Sequence, residues 1–335
     1  MVLPERLHDA SAKPEALRNL DDYALTYPLN NSVCLKLSSR TALFFEGGGD
    51  VERRLEGFRI LADYALRYRD YISHVQHATK GKTGIVPVVW DGLVSEGEAR
   101  IRELPADKEC EIGFFGSPFS LNSGGISQFG GSLVATKPDQ LLPVDINCLE
   151  FSISHTALVD EGFGSFVSVV LEACDRLKPL HGVAGPSIQF DRIYSTTAAY
   201  LYSFPLIKRF PGLHCGRDST FKVEIQDSNN SKIFTTNWLT VVSDSVLGQS
   251  RETAKALSKL PSNCLMHKYD GGVLVQAGPY PQIGDNNRGL VLDDYRRVAR
   301  ALKPIRFEDY RVGLLDVEEP LDSLDETLKW IRRFD

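Results

Sequence analysis

Two apolar runs, "NCLMHKY" and "GGVLVQAG", meet at Asp270-Gly271. Asp-Gly between strand-like runs is a strong hairpin signal, because the tight turn needs left-handed backbone angles that these residues tolerate. A hairpin commits the chain to antiparallel pairing, and other strand-like runs are also near neighbours. "VCLKL" (33–37) and "TALFF" (41–45) are joined by "SSR". "ECEIGFFG" and "INCLEFSIS" flank the glycine- and serine-rich "SLNSGGISQFGGS". "TGIVPVVW" reads as a strand that Pro87 confines to a sheet edge, since proline cannot donate to a ladder. "HGVAGPSIQF" and "KIFTTNWLTVVS" complete the set.

Helical periodicity lies between these runs. Leu55, Phe58, Leu61, Ala65, Leu66, Ile72 and Val75 predict one long helix from Val51 to about Val75, capped by Asp50 of "GGGD". Phe163, Phe166, Val167, Val170, Leu171, Cys174 and Leu177 form a second apolar stripe. "TTAAYLYSFPLIKRF" reads as a helix bent at Pro205, Ser250 as the cap of a short helix, and 292–302 as another. An acidic C-terminal segment ends in a helix. Strands and helices do not alternate, which predicts an α+β fold: a mainly antiparallel sheet with packed helices. Residues 1–30 are expected to be a loosely attached arm. Residues 31–335 are expected to be one compact body, with any lobes (31–155 and 156–335) meeting near residue 155.

The net charge of −6 disfavours a general nucleic-acid binder, which needs a basic surface. No apolar run approaches the roughly 18 residues of a membrane span. The first residues have no apolar signal-peptide core, and the six cysteines are scattered. We therefore expect a cytoplasmic protein with reduced thiols and no membrane association.

The search for chemistry is mostly negative. GxSxG, Walker A, GxGxxG and HExxH are absent. "STFK" (Ser219 to Lys222) matches SxxK without its companion motifs. His74 and His77 are three apart near the expected helix end, with no carboxylate to complete a metal site. His214 and Cys215 are sequence neighbours, which does not make a catalytic dyad. His155, His181 and His267 flank strand-like runs and read as partly buried. We expect no catalytic residue, no metal and no cofactor. In "AGPYPQIGDNNRG" (277–289), Pro279 and Pro281 stiffen the chain while Gly278 and Gly284 free it. Asp285 is placed to bond nearby backbone N–H groups, with Arg288 to clamp it. The stretch reads as a structural corner.

"HGVAG", "FPGLH", "TNWLT", "GGVLVQAGPYPQIGDNN" and "YRRVARALKPIR" occur in this order over residues 181–306. Together they resemble the type VI secretion immunity family, the TsiT-like immunity proteins paired with nuclease toxins. The resemblance marks His181, Gly182, Gly185, Asn237, Trp238, Gly278, Pro279, Pro281, Gly284 and Asp285 as family-motif residues. It implies stoichiometric inhibition of a type VI toxin effector, a nuclease encoded by an adjacent gene, and no catalysis. It does not supply an interface.

Eight acids lie between 308 and 326, opposed in sequence only by Arg311. An acidic surface suits a basic nuclease partner, so Asp316, Glu318, Glu319, Asp322, Asp325 and Glu326 are the candidate contacts. Two other readings stay open: a hydrolase using His181 and Asp285 as acid/base groups, and a scaffold or adaptor without a toxin partner.

Overall fold

A computed structural model describes residues 7, 13–28, 30–77, 84–118, 125–137, 145–191, 197–216, 218, 221 and 232–335. Numbered along the chain, the first elements are β1 (Ala24–Thr26), β2 (Val33–Phe45), α1 (Val51–Arg67), β3 (Ile72–Gln76), β4 (Ile85–Pro87) and α2 (Leu93–Glu103). Then come β5 (Cys110–Gly116), β6 (Gly130–Ala135), β7 (Asn147–Ile153), α3 (His155–Glu161), α4 (Phe163–Leu177), β8 (His181–Phe190) and α5 (Thr197–Arg209). The last are β9 (Leu239–Ser243), α6 (Asp244–Leu247), α7 (Arg251–Leu257), β10 (Cys264–Tyr269), β11 (Gly272–Ala277), α8 (Asp293–Leu302) and α9 (Ser323–Ile331).

The eleven strands form one sheet in the order β10-β11-β9-β8-β2-β7-β6-β5-β3-β4, with β1 also paired to β2. Its named ladders are all antiparallel. The fold is therefore α+β, with the Asp270-Gly271 hairpin at one end and Pro87 on the edge strand at the other. Helices cover both faces. Leu43 and Phe45 join a core with α1, α2, α4 and α8, while Ala42 and Phe44 join a second core with α5 and α9. Adjacent residues on β8 divide the same way: Val183 goes to the second core, Ala184 to the first. The sheet runs through both halves of the chain, because β2 bridges β7 and β8 across residue 155.

Several elements differ from the sequence expectation. "SSR" is no connector: β2 continues through Ser38, Ser39 and Arg40. Helix α1 ends at Arg67, and the β-branched Ile72 and Val75 belong to β3. Leu66, counted in the apolar stripe, is 40% exposed. Helix α2 and strand β6 were not expected. In α2, Leu93, Gly97 and Ile101 repeat every four residues, and Gly97 is small because a Cβ there would stand 2.1 Å from the Phe58 ring. Strand β6 begins inside the glycine-rich stretch, where Gly131 lets Leu61 of α1 press against the sheet.

The described part of the N-terminal stretch is not a loose arm. Leu17 and Leu20 are fully buried, and β1 extends the sheet. The Asp21 carboxylate accepts from the backbone N–H of His155 (2.8 Å) and of Thr156 (2.7 Å), capping α3 from a distance of 134 residues.

Arg54, 1% exposed, holds α1 in place. It donates to four carbonyls: Gly48 (2.6 Å), Pro105 (3.1 Å), Ala106 (3.0 Å) and Lys108 (2.6 Å). One side chain thus ties the loop before α1 to the loop between α2 and β5. Arg54→Leu would leave these carbonyls without their donor. We expect it to lower the unfolding free energy by about 3 kcal/mol in urea titration. A loss within roughly 0.5 kcal/mol would mean that the loops hold without it.

Candidate functional site

Most of the family-motif residues meet at one corner of the molecule, and all but Pro279 are buried. Trp238, fully buried, enters β9 with its backbone N–H on Asn237 Oδ1 (2.7 Å). Its indole Nε1 donates to the Gly278 carbonyl (3.1 Å), and Ala277 N donates to the Trp238 carbonyl (2.7 Å). Gly185 on β8 takes φ 154°, and a Cβ there would stand 2.7 Å from Asn237 Oδ1. Gly182 is equally confined, since a Cβ would meet the Ala42 carbonyl at 2.7 Å. After β11, Gly278 turns the chain with φ 85°. Pro281 is buried beside Gln282, whose backbone N–H and carbonyl both bond the Tyr295 hydroxyl of α8 (3.0 and 3.1 Å). Gly284 packs against Pro211, and Gly212 N donates to the Ile283 carbonyl (2.8 Å).

Asp285 completes the corner. Its carboxylate accepts from the Asn287 N–H (3.0 Å), as the local pattern predicts. The expected clamp is wrong: Arg288 is exposed, and the fork comes from Arg209 at the end of α5, with Nε at 3.0 Å and Nη2 at 2.8 Å. A bidentate guanidinium matches a carboxylate that is fully buried. The sequence holds no local sign of a partner 76 residues away.

His181 lies elsewhere, stacked on Phe44 (centroids 4.6 Å apart) and edge-on to Phe221 (5.6 Å). Neither ring nitrogen has a hydrogen-bond partner among the described residues. Burial disfavours the charged imidazole and pushes its pKa down to about 3. No hydrogen bond or ring contact joins His181 to Asp285, and each is at most 1% exposed. The structure does not assemble the acid/base pair of the hydrolase reading.

Four other histidines have hydrogen-bond partners. His74 sits on β3, not at a helix end, with Nδ1 3.0 Å from Ser73 Oγ. His155 is 3.1 Å from Asp21, and His267 is 2.9 Å from Gln276. His214 Nδ1 accepts from Gly216 N (3.1 Å), and burial with Arg40 and Arg333 nearby keeps its pKa well below the usual value. In "GGGD", the anion at the glycine N–H groups is the protein's own Asp145, 2.7 Å from Gly47 N and 3.2 Å from Gly48 N. Ser219 and Lys222 lie outside the described residues.

The acidic segment is less one-sided than its sequence. Glu308 pairs with Arg306 and Arg332, and Asp309 with Lys232 (3.2 Å). Glu326 is buried, bonded to Lys329 (2.7 Å) and near Lys208 (3.6 Å). Asp322 caps α9 by accepting from Asp325 N (2.9 Å). Asp316 is half-buried, while Glu318, Glu319, Asp322 and Asp325 are exposed. A cleft of about 290 Å³ between α5 and α9 is lined in part by Phe204, Lys208, Glu326 and Trp330.

The family model for TsiV, "Type VI immunity for VRR-NUC", matches residues 102–334. The chain belongs to the TsiV family. The match contains every fragment of the ordered motif set and extends upstream into α2. In fold, this TsiV-family chain is similar to Pseudomonas aeruginosa T6SS protein PA0821, with a TM-score of 0.79. The two are 17% identical over 98% of this chain and 90% of that one, a likeness of fold alone. No curated protein matches it in sequence.

Two outcomes follow from the corner and from His181. Asp285→Ala would strand the Arg209 guanidinium, and we expect a loss of about 3 kcal/mol in chemical denaturation. His181→Phe tests the aromatic cluster through pH. The folded pKa lies below the ordinary 6.5, so the unfolded chain takes up a proton first as pH falls. The contribution is therefore full above pH 6.5 and lost as pH falls toward 3. By about pH 5 the loss amounts to roughly 2 kcal/mol. We expect His181→Phe to remove that part of the acid sensitivity, and an unchanged stability–pH slope would show that His181 does not set it.

Proposed function

We propose that this protein binds a VRR-NUC-type nuclease effector of a type VI secretion system and holds it inactive by stoichiometric association. The effector is expected to be encoded by an adjacent gene, and the encounter to take place in the cytoplasm. The observation that carries this reading is the family match over residues 102–334. The chemistry supports it: the two residues best placed by sequence for acid/base work, His181 and Asp285, are buried and separately employed. The net charge of −6 disfavours direct competition for nucleic acid and favours attraction to a basic, phosphate-binding enzyme.

Co-purification with the neighbouring gene product, and protection of cells expressing it, test the reading directly. Purified protein should leave DNA, RNA and simple esters intact with and without Mg²⁺. Turnover abolished by His181→Ala or Asp285→Ala would favour the hydrolase instead.

The exposed acids offer a quantitative test. Asp322 and Glu326 are excluded because one caps α9 and the other is buried in an ion pair. Reversing Glu318, Glu319 and Asp325 to lysine should slow association with the effector by about tenfold at low ionic strength. The difference should shrink in high salt, where screening shortens the reach of charge to a few ångströms. Stopped-flow measurements at two salt concentrations, with thermal melting as a control, read both effects. Unchanged association at low salt would remove these carboxylates from the interface.

A further inference from the structure

The cleft between α5 and α9 holds more positive charge than its own carboxylate balances. Glu326 serves two ammonium groups, Lys329 at 2.7 Å and Lys208 at 3.6 Å. Arg333 is the third cation. It donates to the carbonyls of Pro211 (2.7 Å), Trp330 (2.9 Å) and Thr236 (3.0 Å) and to Thr235 Oγ1 (3.0 Å), all neutral acceptors. Among the described residues no carboxylate pairs with it. Its guanidinium lies over the Trp330 and Phe334 rings, 4.1 and 4.4 Å from their centroids. Desolvation lowers its pKa to about 9, in keeping with a cation that lacks a counter-charge. Much of the remaining wall is apolar, from Phe204, Ile207, Leu315 and Trp330. The volume of about 290 Å³ is near the lower end of the range for small-molecule pockets.

We propose that this cleft is a binding site for an apolar group bearing a carboxylate, seated on Phe204, Leu315 and Trp330 with its charge toward Lys208, Lys329 and Arg333. A neutral apolar ligand would leave the cationic rim uncompensated, and a cationic one would be repelled by it. The carboxylate has two sources with the same chemistry, a free organic acid or the C-terminal residue of a peptide. The proposal goes beyond toxin neutralisation, since it concerns the isolated protein.

The test compares phenylacetate with phenylacetamide, which differ in charge but little in shape, by calorimetry on the full chain. The acid should bind at least about tenfold more tightly, a difference of roughly 1.4 kcal/mol. Lys208→Glu should remove that preference and Lys208→Arg should retain it, with melting temperature as the folding control. Lys329→Gln serves as a second variant if Lys208→Glu fails to fold. A short peptide ending in phenylalanine, with a free or amidated terminus, separates the sources: a stronger preference for the free terminus than for phenylacetate assigns the site to a chain end. Equal affinity for acid and amide, absence of binding at tens of millimolar, or an acid preference unaffected by both lysine variants would overturn the proposal.

Discussion

Strand β2 is the constraint on which the rest of the fold depends. It pairs with β8 along one edge from Leu35 to Phe44 and with β7 along the other from Ser39 to Phe45. Among the described residues, every ladder between the two halves of the chain passes through it. Its centre is polar: Ser38, Ser39 and Thr41 are fully buried. Between them, Arg40 pairs with Glu150 on β7 and, at 2.8 Å, with Asp218. A buried charge is tolerated only when its partners arrive with it. Arg40 therefore couples strand continuity to the correct seating of β7 and of Asp218. If β2 broke at "SSR", as its local sequence invites, Arg40 would lose this setting and the two cores would lose their common wall.

This dependence explains what was legible in the sequence. Elements set by local rules were readable: the Asp270-Gly271 hairpin, the stripe of α4, and the caps at Asp50 and Ser250. Those set by distant partners were not. Ser38 and Ser39 look like turn residues until β7 and β8 flank them. Gly97 weakens α2 as a helix until the Phe58 ring explains its size. The candidate corner divides in the same way. Its glycines, prolines and the Asp285 turn follow from backbone chemistry, whereas the Arg209 fork comes from another helix. The acidic run reads as unopposed because its cations lie at 208, 232, 306, 329 and 332, outside the window that defines it.

The corner residues are buried, whereas Glu318, Glu319, Asp322 and Asp325 are exposed. His181, Asn237, Trp238 and Asp285 are each at most 1% exposed, so none of them can touch a partner without local unfolding. Asn237, Trp238 and Asp285 help fix where β8, β9, β11 and α8 meet, and His181 packs against Phe44. If the protein binds an effector as proposed, recognition rests on exposed side chains rather than on these four.

The separation also bears on how a binding surface next to the corner can be stiff. Helix α9 carries Trp330 and the buried Glu326, and Arg333 just beyond it reaches back to the carbonyls of Pro211 and Thr236. Pro211 itself packs against Gly284 in the corner loop, and Arg209, two residues earlier, clamps Asp285. The C-terminal helix is thus anchored to the corner through neighbouring residues of a single segment, 209–211. A partner that meets the acids before and within α9 encounters side chains on a fixed base, and loses little ordering entropy beyond those side chains. Loosening the corner would then weaken association without removing a contact, which is how buried motif residues can matter to recognition while remaining out of reach.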